Sequence, residues 1–330
     1  MKKENSGIGF FEKYLSLWVL LCMAAGVLIG RFLPGIPAIL GRFTYANVSI
    51  PIAILIWLMI YPMMLKVDFQ SIRDVRSNPK GLFLTWVVNW LIKPFTMFAL
   101  AWFFFFVAFK AFIPQTLARD YLAGAVLLGA APCTAMVFVW SHLTHGNPAY
   151  TVVQVATNDL IILVAFTPIV KLLLGIGGVS IPWDTLLFSV LLFVVIPLAG
   201  GVLTRRAILR KSGEAYFTQR FIPKFNHVTV AGLLLTLILI FSFQGDVILH
   251  NPLHILLIAV PLVLQTFLIF FLSYLAARKL KLPYTIAAPA GMIGASNFFE
   301  LAVAVAISLF GTGSPVRSEE RRVGKECRSR

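Results

Sequence analysis

The residues best suited to chemistry fall in one stretch, Gly129-Ala130-Ala131-Pro132-Cys133-Thr134-Ala135-Met136-Val137-Phe138-Val139-Trp140. It lies inside a long apolar segment and puts a proline and a lone thiol near the middle. In hydrocarbon an unpaired backbone is not tolerated, so a Gly/Pro interruption must be buried in protein or line a cavity. Half-helices broken near the bilayer midplane mark the substrate sites of carriers. A thiol at such a break is a soft ligand, suited to thiophilic substrates rather than to alkali ions or carboxylates. A lone intramembrane cysteine is often mere packing, but Gly129, Pro132 and Thr134 around Cys133 favour a pathway with sulfur chemistry in it. Cys22 has no such setting. It sits among Ala24, Ala25, Gly26 and Gly30, small residues that let helices approach closely, and reads as packing.

A second constellation, Ala288-Pro289-Ala290-Gly291-Met292-Ile293-Gly294-Ala295-Ser296-Asn297-Phe298-Phe299-Glu300, puts Pro289, Gly291 and Gly294 just ahead of polar residues in another apolar segment. An intramembrane carboxyl is costly and functional by default. Glu300 is therefore expected to titrate as a proton-coupling group, against the alternative of a neutral or paired structural carboxyl. Asn297, one turn earlier on the same face, is expected as its partner or as a substrate contact. Asn158 and Asp159 are candidates for ion coordination or a proton relay. Lys93 reads as structural, snorkelling from a tilted helix that bends at Pro94. The pair Met63-Met64 reads as core filling, and His142 and His145 as loop residues without metal-ligand spacing.

These groups need a membrane scaffold. The chain is 59% hydrophobic and 12% charged, with a mean hydropathy of +0.89, whereas soluble domains carry about 25% charged residues. Apolar segments near the 20-residue length of a span occur at 15–33, 48–66, 81–109, 120–143, 149–174, 184–204, 227–244, 253–277 and 284–310. The net charge of +15 is spread between these segments, with no basic domain to hold a nucleic acid, and reads as topology signal and contact with anionic lipid. With the N-terminus inside, sixteen Lys/Arg fall on the cytoplasmic side and five on the other, the sense of the positive-inside rule. Three cysteines give neither a CxxC pair nor zinc spacing. No cofactor is expected, and the oligomeric state is left open.

The two interruptions, near Pro132 and Gly294, are about 160 residues and five spans apart. An odd number of spans per repeat makes the halves antiparallel, the arrangement of inverted-repeat carriers. The expected organisation is a cytoplasmic segment 1–14, a first five-helix repeat 15–174 and an incomplete second repeat 175–312. Residues 313–330 form a polar basic tail, read as foreign sequence standing where a tenth span would begin, against the alternative of a genuine disordered tail.

The Gly129–Ser141 stretch resembles the signature of the arsenical-resistance arsenite efflux permeases of the bile acid/sodium symporter superfamily. Ile60-Tyr61-Pro62-Met63-Met64-Leu65-Lys66-Val67-Asp68 and Gly294–Ala304 support the likeness, which spans roughly residues 10–312. The resemblance implies ten spans in two inverted repeats whose fourth and ninth helices are broken and cross. It also implies plasma-membrane export of trivalent arsenite, and of antimonite in some members, in exchange for protons. The essential thiol falls on Cys133 and the essential carboxyl on Glu300. The chemistry agrees: arsenic(III) exchanges hydroxyls for thiolates, and one thiol releases what three would trap. The alternatives are a sodium-coupled carrier of organic anions on the same scaffold, or a membrane scaffold protein without transport.

Overall fold

A computed structural model describes residues 14–40, 43–45, 48–65, 79–133, 144–179, 183–243 and 252–310, together with Val137, Trp140, Ser141 and Leu249. Lys66–Asp68, Thr134, His142 and the 313–330 tail lie outside the described residues, as does the side chain of Glu300.

The chain is a polytopic helical membrane protein. In order, α1 is Leu15–Phe32, α2 Ile50–Leu65, α3 Pro79–Ala108, α4 Gln115–Gly129 and α5 Pro148–Ile176. A 61-residue helical run, Trp183–Phe243, follows. Gly213 divides it into α6 (183–212) and α7 (214–243), since its φ of 78° and ψ of 172° are open essentially to glycine alone. Then come α8 Pro252–Lys279, α9 Tyr284–Ala295 and α10 Phe299–Phe310. The strands among the described residues are two antiparallel dipeptides, Thr44–Tyr45 and Val48–Ser49.

Four stretches, Pro79–Ala108, Pro148–Ile176, Trp183–Phe243 and Pro252–Lys279, are long and apolar enough to cross a membrane. Leu17–Phe32 and Ile50–Pro62 are shorter apolar helices. Large apolar side chains such as Leu20, Val164, Leu203 and Leu256 are exposed on the outer faces, as a lipid-facing surface requires. The basic connection expected between the sixth and seventh spans is helical instead. Arg205, Arg206, Arg210 and Lys211 ride on α6, and Arg220 and Lys224 on α7.

With no water to expel between helices in lipid, small residues must let backbones meet. A Cβ on Gly26 would stand 2.6 Å from the Ile238 carbonyl oxygen, and one on Gly30 would strike that of Ser242. These two glycines set α1 against α7. Helix α7 also packs on α2, and α2 on α6. The largest core joins α3, α4, α5, α6 and α10.

The proline expected to bend the third span lies inside one continuous helix. Pro94 follows a π-turn at Val88–Ile92, which absorbs the hydrogen bond its ring cannot make. The expected role of Pro289 and Gly291 as helix breakers needs correction. Both lie inside α9, as does Gly294, and the interruption falls at Ser296–Phe298. Pro289 removes the N–H that would have bonded the Thr285 carbonyl. That carbonyl instead accepts the Asn147 N–H at 2.8 Å, while the Asn147 side chain caps the start of α5 through Tyr150 N at 3.1 Å. The proline is thus a docking point for the turn before α5.

Candidate functional site

Helix α4 stops at Gly129, and Ala130 to Cys133 leave the helical path before helix resumes around Val137, Trp140 and Ser141. A side chain on Gly129 would collide with Met97 of α3, 2.6 Å from its Cγ, so the end of α4 is seated directly on α3. In the second half, α9 ends at Ala295 and α10 begins at Phe299. The two interruptions meet. The Phe298 N–H donates to the Ala131 carbonyl at 3.1 Å, and the Cys133 N–H donates to Ser296 Oγ at 3.1 Å. Ser296 Oγ in turn lies 2.7 Å from the Ile293 carbonyl and 3.3 Å from that of Cys133. Backbone groups stranded by each break are therefore satisfied by the other, as burial in hydrocarbon demands.

Cys133 sits in this crossing, 8% exposed and not in a disulfide. Asn297 stands in the opposite interruption, half-buried, with a side-chain oxygen that finds no hydrogen-bond donor among the described residues. Glu300 lies in the first turn of α10. Cys22 lies apart, on α1.

Lys93 corrects the sequence reading outright. It is fully buried, midway along α3, and cannot snorkel to either surface. Its Nζ donates to the Ala131 carbonyl at 3.3 Å and to the Ser296 carbonyl, one from each interruption. The signal was present in the sequence: a lysine at the centre of a span has no route to water.

Asn158 and Asp159, expected as a pair, do different things. The Asn158 oxygen accepts Trp90 Nε1 at 2.9 Å and Asn89 Nδ2 at 3.2 Å, and its amide donates to the Gln154 carbonyl at 2.8 Å. That oxygen is filled, and Asn158 belongs to a buried ladder fastening α3 to α5. The ladder continues through Trp86 to Thr157, and through Thr85, Tyr150 and Gln154 around the Gly81 carbonyl. Asp159 is 1% exposed, and neither of its carboxylate oxygens has a hydrogen-bond partner among the described residues. It shares a helix face with Ala156 and Leu163, which pack against α2 and α6. An ionised carboxylate there carries a desolvation cost of several kcal/mol, so Asp159 is an expense that stability does not explain.

The remaining candidates read as structure. Met64 is wholly buried in the α2 core with Ile52, Ile56 and Ile60, and His145 is an exposed turn residue. No group of three metal-binding side chains occurs among the described residues.

Comparison with known proteins places this arrangement. The profile of the Sodium Bile acid symporter family matches residues 53–251. The chain is 65% identical over 311 residues to the arsenical-resistance protein Acr3 of Alkaliphilus metalliredigens, covering 94% of this chain and 87% of that protein. It is 46% identical over 321 residues to the uncharacterized transporter slr0944 of Synechocystis sp., covering 94% and 84%. It is 33% identical over 322 residues to Acr3 of Corynebacterium glutamicum, covering 95% and 84%. With a crossing of two interrupted helices and relatives matched along nearly its whole length, the chain is a transporter, not an enzyme, and belongs to the Sodium Bile acid symporter family on its arsenical-resistance side.

Proposed function

We propose that this chain exports trivalent arsenite across the plasma membrane in exchange for protons, with antimonite as a second substrate. The observation that carries the reading is Cys133 in the crossing, its backbone held by Ser296 of the opposite interruption. A single thiol gives arsenic(III) one labile bond, and a carrier needs binding loose enough to release. The relatives named for arsenical resistance support that substrate.

In this mechanism arsenous acid enters from the cytoplasmic side and exchanges one hydroxyl for the Cys133 sulfur; the thiol proton and the hydroxyl leave as water. Asn297, whose oxygen finds no donor among the described residues, accepts a hydrogen bond from a remaining arsenic hydroxyl. Glu300 alternates between protonated and ionised forms as access switches sides, with Asp159 as the relay or the alternative coupling carboxyl. On the outer side water attacks the As–S bond, arsenous acid leaves, and the thiol regains a proton. Two inverted five-helix repeats, with the N-terminus cytoplasmic, provide the rocking scaffold. The packing of α3 on α4 and of α8 on α9 is the kind of correspondence such repeats produce.

Everted membrane vesicles test this directly, with arsenite and taurocholate compared under imposed proton and sodium gradients. The proposal expects arsenite uptake driven by the proton gradient. Taurocholate uptake driven by sodium would establish the organic-anion reading in its place.

A further inference from the structure

We propose that the Lys93 ammonium is the resident cation of the crossing, filling the position that a coupling metal ion would otherwise occupy, so that the chain binds no sodium there. The inference takes its meaning from the transporter reading, but its test reads sodium binding and does not require arsenite.

Two helices, α4 and α9, end at the crossing with their C-terminal ends. Each end carries unsatisfied carbonyls and the negative pole of a helix dipole. Unwound carbonyls and half-helix C-terminal ends are the groups that coordinate sodium in carriers of this geometry. Here the cation is covalently attached. Lys93 Nζ donates to the Ala131 carbonyl at 3.3 Å and also to the Ser296 carbonyl.

Those two carbonyls hold corresponding places, third in Gly129-Ala130-Ala131 and third in Gly294-Ala295-Ser296. The ammonium therefore lies where a pseudo-twofold axis relating the halves would pass. An ammonium has three donors and no acceptor, so it serves carbonyls as a small metal ion does, without being released. The Ala131 oxygen also takes the Phe298 N–H at 3.1 Å, leaving less of its lone-pair density for another cation. A fully buried lysine survives in hydrocarbon only where such partners surround it.

The test is the thermal melting of the purified full-length protein in sodium chloride against choline chloride at equal ionic strength. The wild type is expected to melt at the same temperature in both salts. Lys93→Gln, which vacates the charge and adds an oxygen, is expected to gain a saturable sodium-specific rise of about 3 °C or more, as ligand binding to the folded state requires. Lys93→Arg, which keeps the charge, should stay indifferent to sodium. A sodium-specific rise in the wild type overturns the proposal. So does a Lys93→Gln protein that melts alike in both salts. If that variant purifies only when sodium is present, the proposal stands; if it purifies in neither salt, sodium cannot replace the ammonium and the proposal fails.

Discussion

Replacing Ser296 with alanine removes one hydroxyl and isolates the backbone of the residue expected to bind arsenic. Ser296 Oγ accepts the Cys133 N–H at 3.1 Å and is tied to the Ile293 carbonyl at 2.7 Å. A buried N–H stripped of its acceptor costs about 1–3 kcal/mol. Ser296 is half-buried, which places the cost in the lower part of that range, about 1–2 kcal/mol. At about 1.4 kcal/mol per tenfold, the properly seated Cys133 becomes roughly 5- to 30-fold scarcer, and arsenite uptake into everted vesicles is expected to fall by that factor. Ser296→Thr keeps the oxygen and should stay within about threefold of wild type. Maleimide labelling of Cys133 in the same vesicles should change for Ser296→Ala and not for Ser296→Thr. Wild-type uptake together with wild-type labelling in Ser296→Ala would refute the idea that the crossing hydrogen bond seats the thiol.

Glu300→Gln keeps shape and removes titration, so proton-driven uptake should stop while arsenite binding to the purified protein persists. Normal uptake with normal pH dependence would pass the coupling role to Asp159. Asp159→Asn is expected to lose transport while melting at the same or a higher temperature, because the carboxyl has no hydrogen bond to lose among the described residues; a large drop in melting temperature would make it structural. Gly30→Leu forces a side chain into the Ser242 backbone, and overpacking costs about 1–3 kcal/mol. Lower yield and melting temperature should follow, and an unchanged melt would show that α1 does not need its close seat on α7.

What was legible in the sequence was whatever a local rule decides. Pro132 has no N–H and lies between Gly129 and a thiol, and the helix ends just before it, at Gly129. The same rule puts the second break too early in the chain. Pro289 strands a carbonyl just as Pro132 would, but Asn147, far away in sequence, reaches over to bond it, so α9 continues to Ala295. That rescue is a tertiary event with no local trace. Lys93 departs from expectation for a different reason. Its neighbour Pro94 suggested a bend and an escape to the surface, whereas its distance from both ends of α3 already forbade one. Asn158 and Asp159 were indistinguishable as adjacent polar residues in an apolar segment. Only the facing of α5 on α3 separates an amide filled by Trp90 and Asn89 from a carboxyl left without a donor among the described residues. Ser296 stands in the polar stretch after Gly294 without a role the sequence can assign, because a serine beside a break has no defined task until its partner, the Cys133 backbone, is in place.

The central claim is that arsenic binds transiently to one sulfur, that of Cys133. Arsenic X-ray absorption on the purified protein loaded with arsenite reads the ligand atoms directly. The account predicts one sulfur and otherwise oxygen around the arsenic, unchanged in Cys22→Ser and replaced by oxygen alone in Cys133→Ser. Oxygen-only coordination in the wild type, or a sulfur that persists in Cys133→Ser, would contradict it.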